Sequence, residues 1–214
     1  LFPEPNPLFY ENAPWGLATR RDRLAVLTAL AIYHIPGAVL PEKPPVIVAP
    51  VRALMTRTIP RRDFLKSTRV LKLEQVIQPE ELARAWMHLG YERENTVVMP
   101  GQYARRGGLL DIWPPAEAMP VRVEFFGDEI ENLRRFDPGT QRTVAALERL
   151  QVTPAREFLL TDDSQVQALP SLVASTDLTV HEFFIPYFHG LPASLLDYLP
   201  RQAVLLVDDY EAVR

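Results

Sequence analysis

The spacing of apolar positions changes several times along the chain, and each change predicts a different element. From Thr19 onward, Leu24, Leu27, Ala31 and Ile35 recur at helical spacing until Pro36, which predicts an amphipathic helix. In KPPVIVAPVRALM, Val46 to Ala49 form a short continuous apolar run between prolines, the pattern of a strand buried on both faces. Pro79 suits a first helical turn, Glu80 and Glu81 suit the positive end of the helix dipole, and Leu82, Trp86 and Leu89 make a stripe that stops at Gly90. Beyond that helix the period falls to two. The runs TVVM, YARRGGLLDIW and VRVEFFGDEIENL are rich in β-branched and aromatic residues and predict an antiparallel sheet ending near Pro154. The closing part regains α/β character, with a proline-broken region around HEFFIPYFHGLP and a buried-strand pattern at AVLLVDD. The opening, with prolines at 3, 5, 7 and 14, reads as extended coil.

Within VRVEFFGDEIENLRRFD, Val121, Val123 and Phe125 alternate with Arg122, Glu124 and Phe126, and Gly127-Asp128 makes an acceptable two-residue turn. One face of this strand is therefore apolar and fits the Leu82/Trp86/Leu89 helix. The other carries Arg122, Glu124 and Phe126, about 7 Å apart along the strand. Two readings of that second face stand side by side: a weak surface ion pair between Arg122 and Glu124, or a protein-binding patch that also takes an arginine from YARRGG. Arginine and aromatic residues are the types that anchor interfaces.

Composition narrows the chemistry. The chain has 214 residues, a net charge of -4 and no cysteine. Disulfides, thiolate zinc sites and a cysteine nucleophile are thereby excluded, and a cytoplasmic setting is expected. Six arginines between Pro100 and Arg142 face seven acids, so no basic stripe for phosphates stands out. No apolar run is long enough to span a bilayer, so no membrane association is expected.

Catalytic and cofactor readings find little support. Asp128, Glu129 and Glu131 surround a turn with no histidine beside them, and His34, His88, His181 and His189 lack metal-ligand spacing. AVLLVDD has the form of a magnesium-holding strand, but no G-x-x-x-x-G-K-[ST] loop accompanies it. Gly107-Gly108 is too short for a dinucleotide fingerprint and suggests a strand bend or bulge. No serine lies in a G-x-S-x-G context. No catalytic residue, metal site or cofactor site is assigned.

The segments GQYARRGGLLDIWPP and PVRVEFFGDEIENLRRFDPGTQRT closely resemble the module shared by the excision-repair protein UvrB and the bacterial transcription-repair coupling factors. The ending FDPGTQRTVAALERLQVTPAREF, the opening LFPEPNPLFYEN and VIVAPVRALMTRTIP look like the coupling factors, so the resemblance covers nearly the whole chain. It implies an α/β fold in which residues 1–70 and 156–214 form two parts of a UvrB-like domain. Residues 71–155 would be inserted between them as a small α+β module with an antiparallel sheet.

In the family that module docks UvrA, the damage-recognition ATPase. The contact residues carry over to Arg106 of the Arg-Gly pair, to Arg122 and Glu124, and to Phe126 beside them, with Arg105 as an additional candidate. Where UvrB has a second arginine two residues before the Arg-Gly pair, this chain has Ala104, as coupling factors also lack that arginine. The resemblance implies a non-catalytic region of a larger parent whose downstream motor uses ATP and magnesium. That parent would meet RNA polymerase and DNA through other domains, and one of its C-terminal domains would mask the docking face. The alternative is a piece of UvrB, which uses ATP and grips damaged DNA, but neither its aromatic hairpin nor its phosphate loop appears in the chain.

Overall fold

Helix-breaking prolines and the fall of period from 3.6 to two lay out the backbone. A computed structural model describes residues 1–5, 15–159, 182, 185, 189–209 and 211. Helix α1 (Leu17–Ala31) buries Leu24, Leu27 and Ala31 and tightens into a 3-10 turn at Ile32–His34. Ile35 is extended and exposed, so the helical stripe ends one turn earlier than its spacing predicts. Two short helices, α2 (Val51–Met55) and α3 (Arg61–Ser67), start directly after Pro50 and Pro60, whose fixed φ suits a helix entry. Phe64 of α3 meets Tyr198 edge-on at 5.9 Å, and the Tyr198 hydroxyl donates to the Ile59 carbonyl at 2.8 Å. Tyr198 belongs to a 3-10 turn, Leu195–Tyr198, capped by Ser194 and Asp197.

The module that follows contains, in order, β1 (Arg69–Lys72), α4 (Pro79–His88), β2 (Glu92–Arg93), β3 (Gln102–Arg106) and β4 (Leu109–Ile112). Then come β5 (Val121–Phe126), β6 (Glu129–Phe136), β7 (Thr143–Leu147) and β8 (Arg149–Val152). Strands β1 and β8 pair antiparallel, so the chain enters and leaves the module side by side. The other six form one sheet in the order β2-β3-β4-β5-β6-β7, antiparallel except for β2, which runs parallel to β3. Helix α4 lies on the apolar face. Its Leu82 and Trp86 join Tyr103, Leu110, Ile112, Val121, Val123, Ile130 and Leu133 in a core that continues into Leu24, Leu27 and Leu30 of α1. Trp86 packs edge-on against Tyr103 at 6.0 Å, and the buried Tyr91 hydroxyl donates to the Thr153 carbonyl at 2.7 Å.

The module is tied to the rest of the chain by ion pairs. Arg23 of α1 is fully buried, donates to both carboxylate oxygens of Glu157 at 2.5 and 2.9 Å, and stacks on Phe2 and Trp15. Arg156 next to it bonds Glu92 of the module at 2.5 Å and Glu182 at 2.9 Å. Burial raises the Glu182 carboxyl above its ordinary value against the pull of Arg156 and Arg20.

Several expected elements come out differently. Val46 to Ala49 form no strand: Val46 and Val48 are exposed, and the Phe2 N–H donates to the Val48 carbonyl at 2.8 Å. AVLLVDD likewise forms no strand: Val204 to Val207 are exposed, and Asp208 and Asp209 lie in a bend. A strand buried on both faces needs neighbours on both sides, and none of the described residues provides them. TVVM is a loop that buries Val97, and the sheet is mixed rather than wholly antiparallel. Gly107-Gly108 is the two-residue turn joining β3 to β4, since Arg106 pairs with Leu109, so it is neither a bend nor a bulge. The residues around HEFFIPYFHGLP lie largely outside the described residues, as do residues 6–14 of the opening.

Gly90 ends α4 at φ +84°, a conformation L side chains rarely adopt, and a Cβ there would sit 2.8 Å from Arg156 Cγ. Gly90→Ala is expected to lower stability by about 1–3 kcal/mol through backbone strain and displacement of Arg156. A lower urea midpoint with an unchanged slope would show it, and an unchanged midpoint would contradict it.

Candidate protein-docking face

Alternation along paired strands puts successive residues on opposite faces, so the register decides which charges meet. Across β3, β4, β5, β6 and β7, one row on the face away from α4 reads Ala104, Asp111, Arg122, Arg134, Ala146. The neighbouring row reads Arg106, Leu109, Glu124, Asn132. Arg106, Arg122 and Glu124 therefore share this face. Phe126 follows at the end of β5, beyond a register shift between Glu124 and Phe125. Such a bulge sharpens the local twist. Phe126 is 78% exposed beside the turn at Gly127, where φ is +62°.

Arg122 does not pair with Glu124. Its Nε and one terminal nitrogen donate to the two oxygens of Asp111 on β4 at 2.7 and 2.8 Å, while its guanidinium lies over the buried Phe136 ring at 4.7 Å. Asp111 is only 3% exposed, so this is a partly buried, bidentate pair of the strong type. Hydrogen bonding to Asp111 raises the Arg122 pKa, outweighing desolvation, and the charges of Asp111 and Glu124 add to it. Glu124 instead lies 3.5 Å from Arg134, its neighbour on β6. Arg106 reaches the Asn95 carbonyl at 2.8 and 3.2 Å and the Thr96 hydroxyl at 2.7 Å.

The remaining candidate stands apart. Arg105 precedes Arg106 on β3 and so projects to the opposite face, where it is ion-paired with Glu80 in the first turn of α4. Ala104 is buried in a small cluster with Val97 and Phe136, where a methyl group fits and an arginine would have to displace its neighbours. Two participants were missed at the level of sequence: Asp111 and Arg134, counted only among the acids and arginines that balance each other between Pro100 and Arg142. Register is the signal that identifies both. Among the described residues no group of His, Asp and Glu could hold a metal ion. Two of the histidines have local contacts: His34 Nε2 lies 2.8 Å from the Tyr198 carbonyl, and burial lowers the His189 pKa although Asp63 opposes the shift.

Removing one member of the Asp111–Arg122 fork leaves a desolvated charge behind. Arg122→Met is expected to cost about 2–4 kcal/mol, whereas Asp111→Leu combined with Arg122→Met should recover most of that loss. Urea denaturation of the two single variants and the double variant tests this. A double variant less stable than Arg122→Met would contradict it.

Residues 70–158 match the UvrB interaction domain. The chain is 39% identical to a transcription-repair-coupling factor of Myxococcus xanthus over 73% of its own length and 13% of that protein's. It is 27% identical to that of Bacillus subtilis, over 79% of this chain and 17% of the relative. The UvrABC system protein B of Kosmotoga olearia is 32% identical over 68% of this chain and 22% of its own length. The chain thus spans less than a quarter of each of these relatives. Residues 70–158 are similar to the UvrB interaction domain, within a chain whose similarity to transcription-repair-coupling factors extends over most of its length.

Proposed function

We propose that this chain is a non-catalytic recruiting region of a transcription-repair coupling factor, and that it docks the excision-repair protein UvrA on the β5–β6 face. The observation that carries the reading is the exposed Phe126 at the end of a strand whose neighbours, Arg122 and Glu124, are already held by Asp111 and Arg134. An aromatic ring ringed by charged groups is the composition of an interface anchor. Pre-ordering Arg122 lowers the entropy lost on docking. In this reading Phe126 fills an apolar pocket of UvrA, Arg106 and Arg122 meet acids, and Glu124 meets a base.

The proposal includes the wider setting. The region works in the cytoplasm as part of a larger protein that engages RNA polymerase and DNA through other domains, drives translocation with ATP and magnesium, and covers this face with a C-terminal domain until it acts. The region itself binds no cofactor.

Calorimetric titration with UvrA tests the docking reading. Phe126→Ala and Arg106→Ala are expected to weaken binding about tenfold or more, equivalent to about 1.4 kcal/mol. Arg105→Ala, on the opposite face, should leave it within about twofold. Equal losses at Phe126 and Arg105, or no binding by the folded chain, would overturn the reading. A fluorescent ATP analogue with magnesium separates this reading from that of a UvrB piece. No saturable signal is expected, and saturable magnesium-dependent binding would favour the UvrB alternative.

A further inference from the structure

Arg122 and Arg134 stand directly opposite each other on β5 and β6, on the same face of the sheet. Like charges in that position repel, and the face offsets the repulsion with an acid on either side. The two acids are not equivalent. Asp111 is 3% exposed and grips Arg122 through two short bonds, and Nη2 of Arg122 also reaches the Gln141 side-chain oxygen at 3.4 Å, leaving Nη1 of Arg122 without a hydrogen bond among the described residues. Glu124 holds Arg134 through a single 3.5 Å approach, with 39% of the Arg134 side chain and 23% of the Glu124 side chain exposed. A solvated single-contact pair of this kind contributes little to stability and is readily exchanged.

We infer that Arg134 is a further docking residue, and that the Glu124–Arg134 pair opens on binding. Arg134 and the free edge of Arg122 then receive a carboxylate from an acidic side chain of the partner, while Glu124 is released to meet a basic group. Asp111 stays in place throughout and keeps Arg122 from following Glu124. The face works by charge exchange: one internal ion pair is fixed and the other is replaced by partner groups of the same chemistry. Charge complementarity, two arginines side by side with a single exchangeable acid, selects an acidic patch bearing at least one base. This inference rests on the docking reading above and extends it to a residue that the resemblance did not supply.

A binding cycle separates direct contact from mere support of Glu124. UvrA is titrated calorimetrically with the wild-type chain and with Arg134→Ala, Glu124→Ala, the double variant and Arg134→Lys, each first checked for an unchanged melting transition. Arg134→Ala is expected to weaken binding about tenfold. In the Glu124→Ala background it should still weaken binding several-fold, and Arg134→Lys should restore part of the loss. If Arg134 acts only by positioning Glu124, its removal has no effect once Glu124 is alanine, and that result overturns the inference. Unchanged binding by Arg134→Ala, while Phe126→Ala weakens it, overturns this inference and leaves the docking reading standing. Failure of the folded wild-type chain to bind UvrA overturns both.

Discussion

The carboxylate of Asp111 is the fixed point of the candidate docking face. It is nearly inaccessible to water, and a buried carboxylate of that kind requires a partner that satisfies both oxygens. Arg122 supplies it from the adjacent strand and is flattened onto Phe136 in the process. This determines the rest of the arrangement. With Arg122 committed to Asp111, Glu124 turns to Arg134, and the face presents its charges in ordered positions instead of as loosely tethered chains. The same buried ring packs with Val97 and Ala104, so the loop before β3 is drawn onto the face and Arg106 is anchored along it.

That face depends on the apolar side of the sheet for its rigidity. Leu82 and Trp86 of α4 cover Val121 and Val123, and the core they share runs without interruption into α1. The two ends of the module meet in the β1–β8 pair, and Arg156 and Glu157 lie shortly after β8. The Arg23–Glu157 pair, together with the Arg156 bonds to Glu92 and Glu182, fixes the module to the preceding helix. A buried pair of this type contributes orientation more surely than stability, because its desolvation cost offsets much of its attraction.

Much of this was legible in the sequence, and the parts that were not have a common cause. Pro79, the Leu82/Trp86/Leu89 stripe and Gly90 marked α4, because each acts within a few residues of itself. The division of β5 into an apolar face and a charged face followed from alternation alone. Which charge meets which was not legible: Asp111 and Arg122 are eleven positions apart, and only the register of β4 on β5 joins them. The apolar runs at Val46 to Ala49 and in AVLLVDD failed for the same reason. Hydrophobicity reports a preference for burial but not the neighbours that supply it. Arg105 and Arg106 were grouped by adjacency, whereas the pleat separates them onto opposite faces.

In the proposed docking, UvrA lands on the β5–β6 face and covers Phe126. Hydroxyl-radical footprinting of the chain with and without saturating UvrA tests it most directly, because Phe126 on that face and Met87 on α4 are both exposed and both reactive. Strong protection of Phe126 with little change at Met87 is the expected result. Unchanged labelling of Phe126 in a saturated complex, or protection centred on Met87, would contradict it.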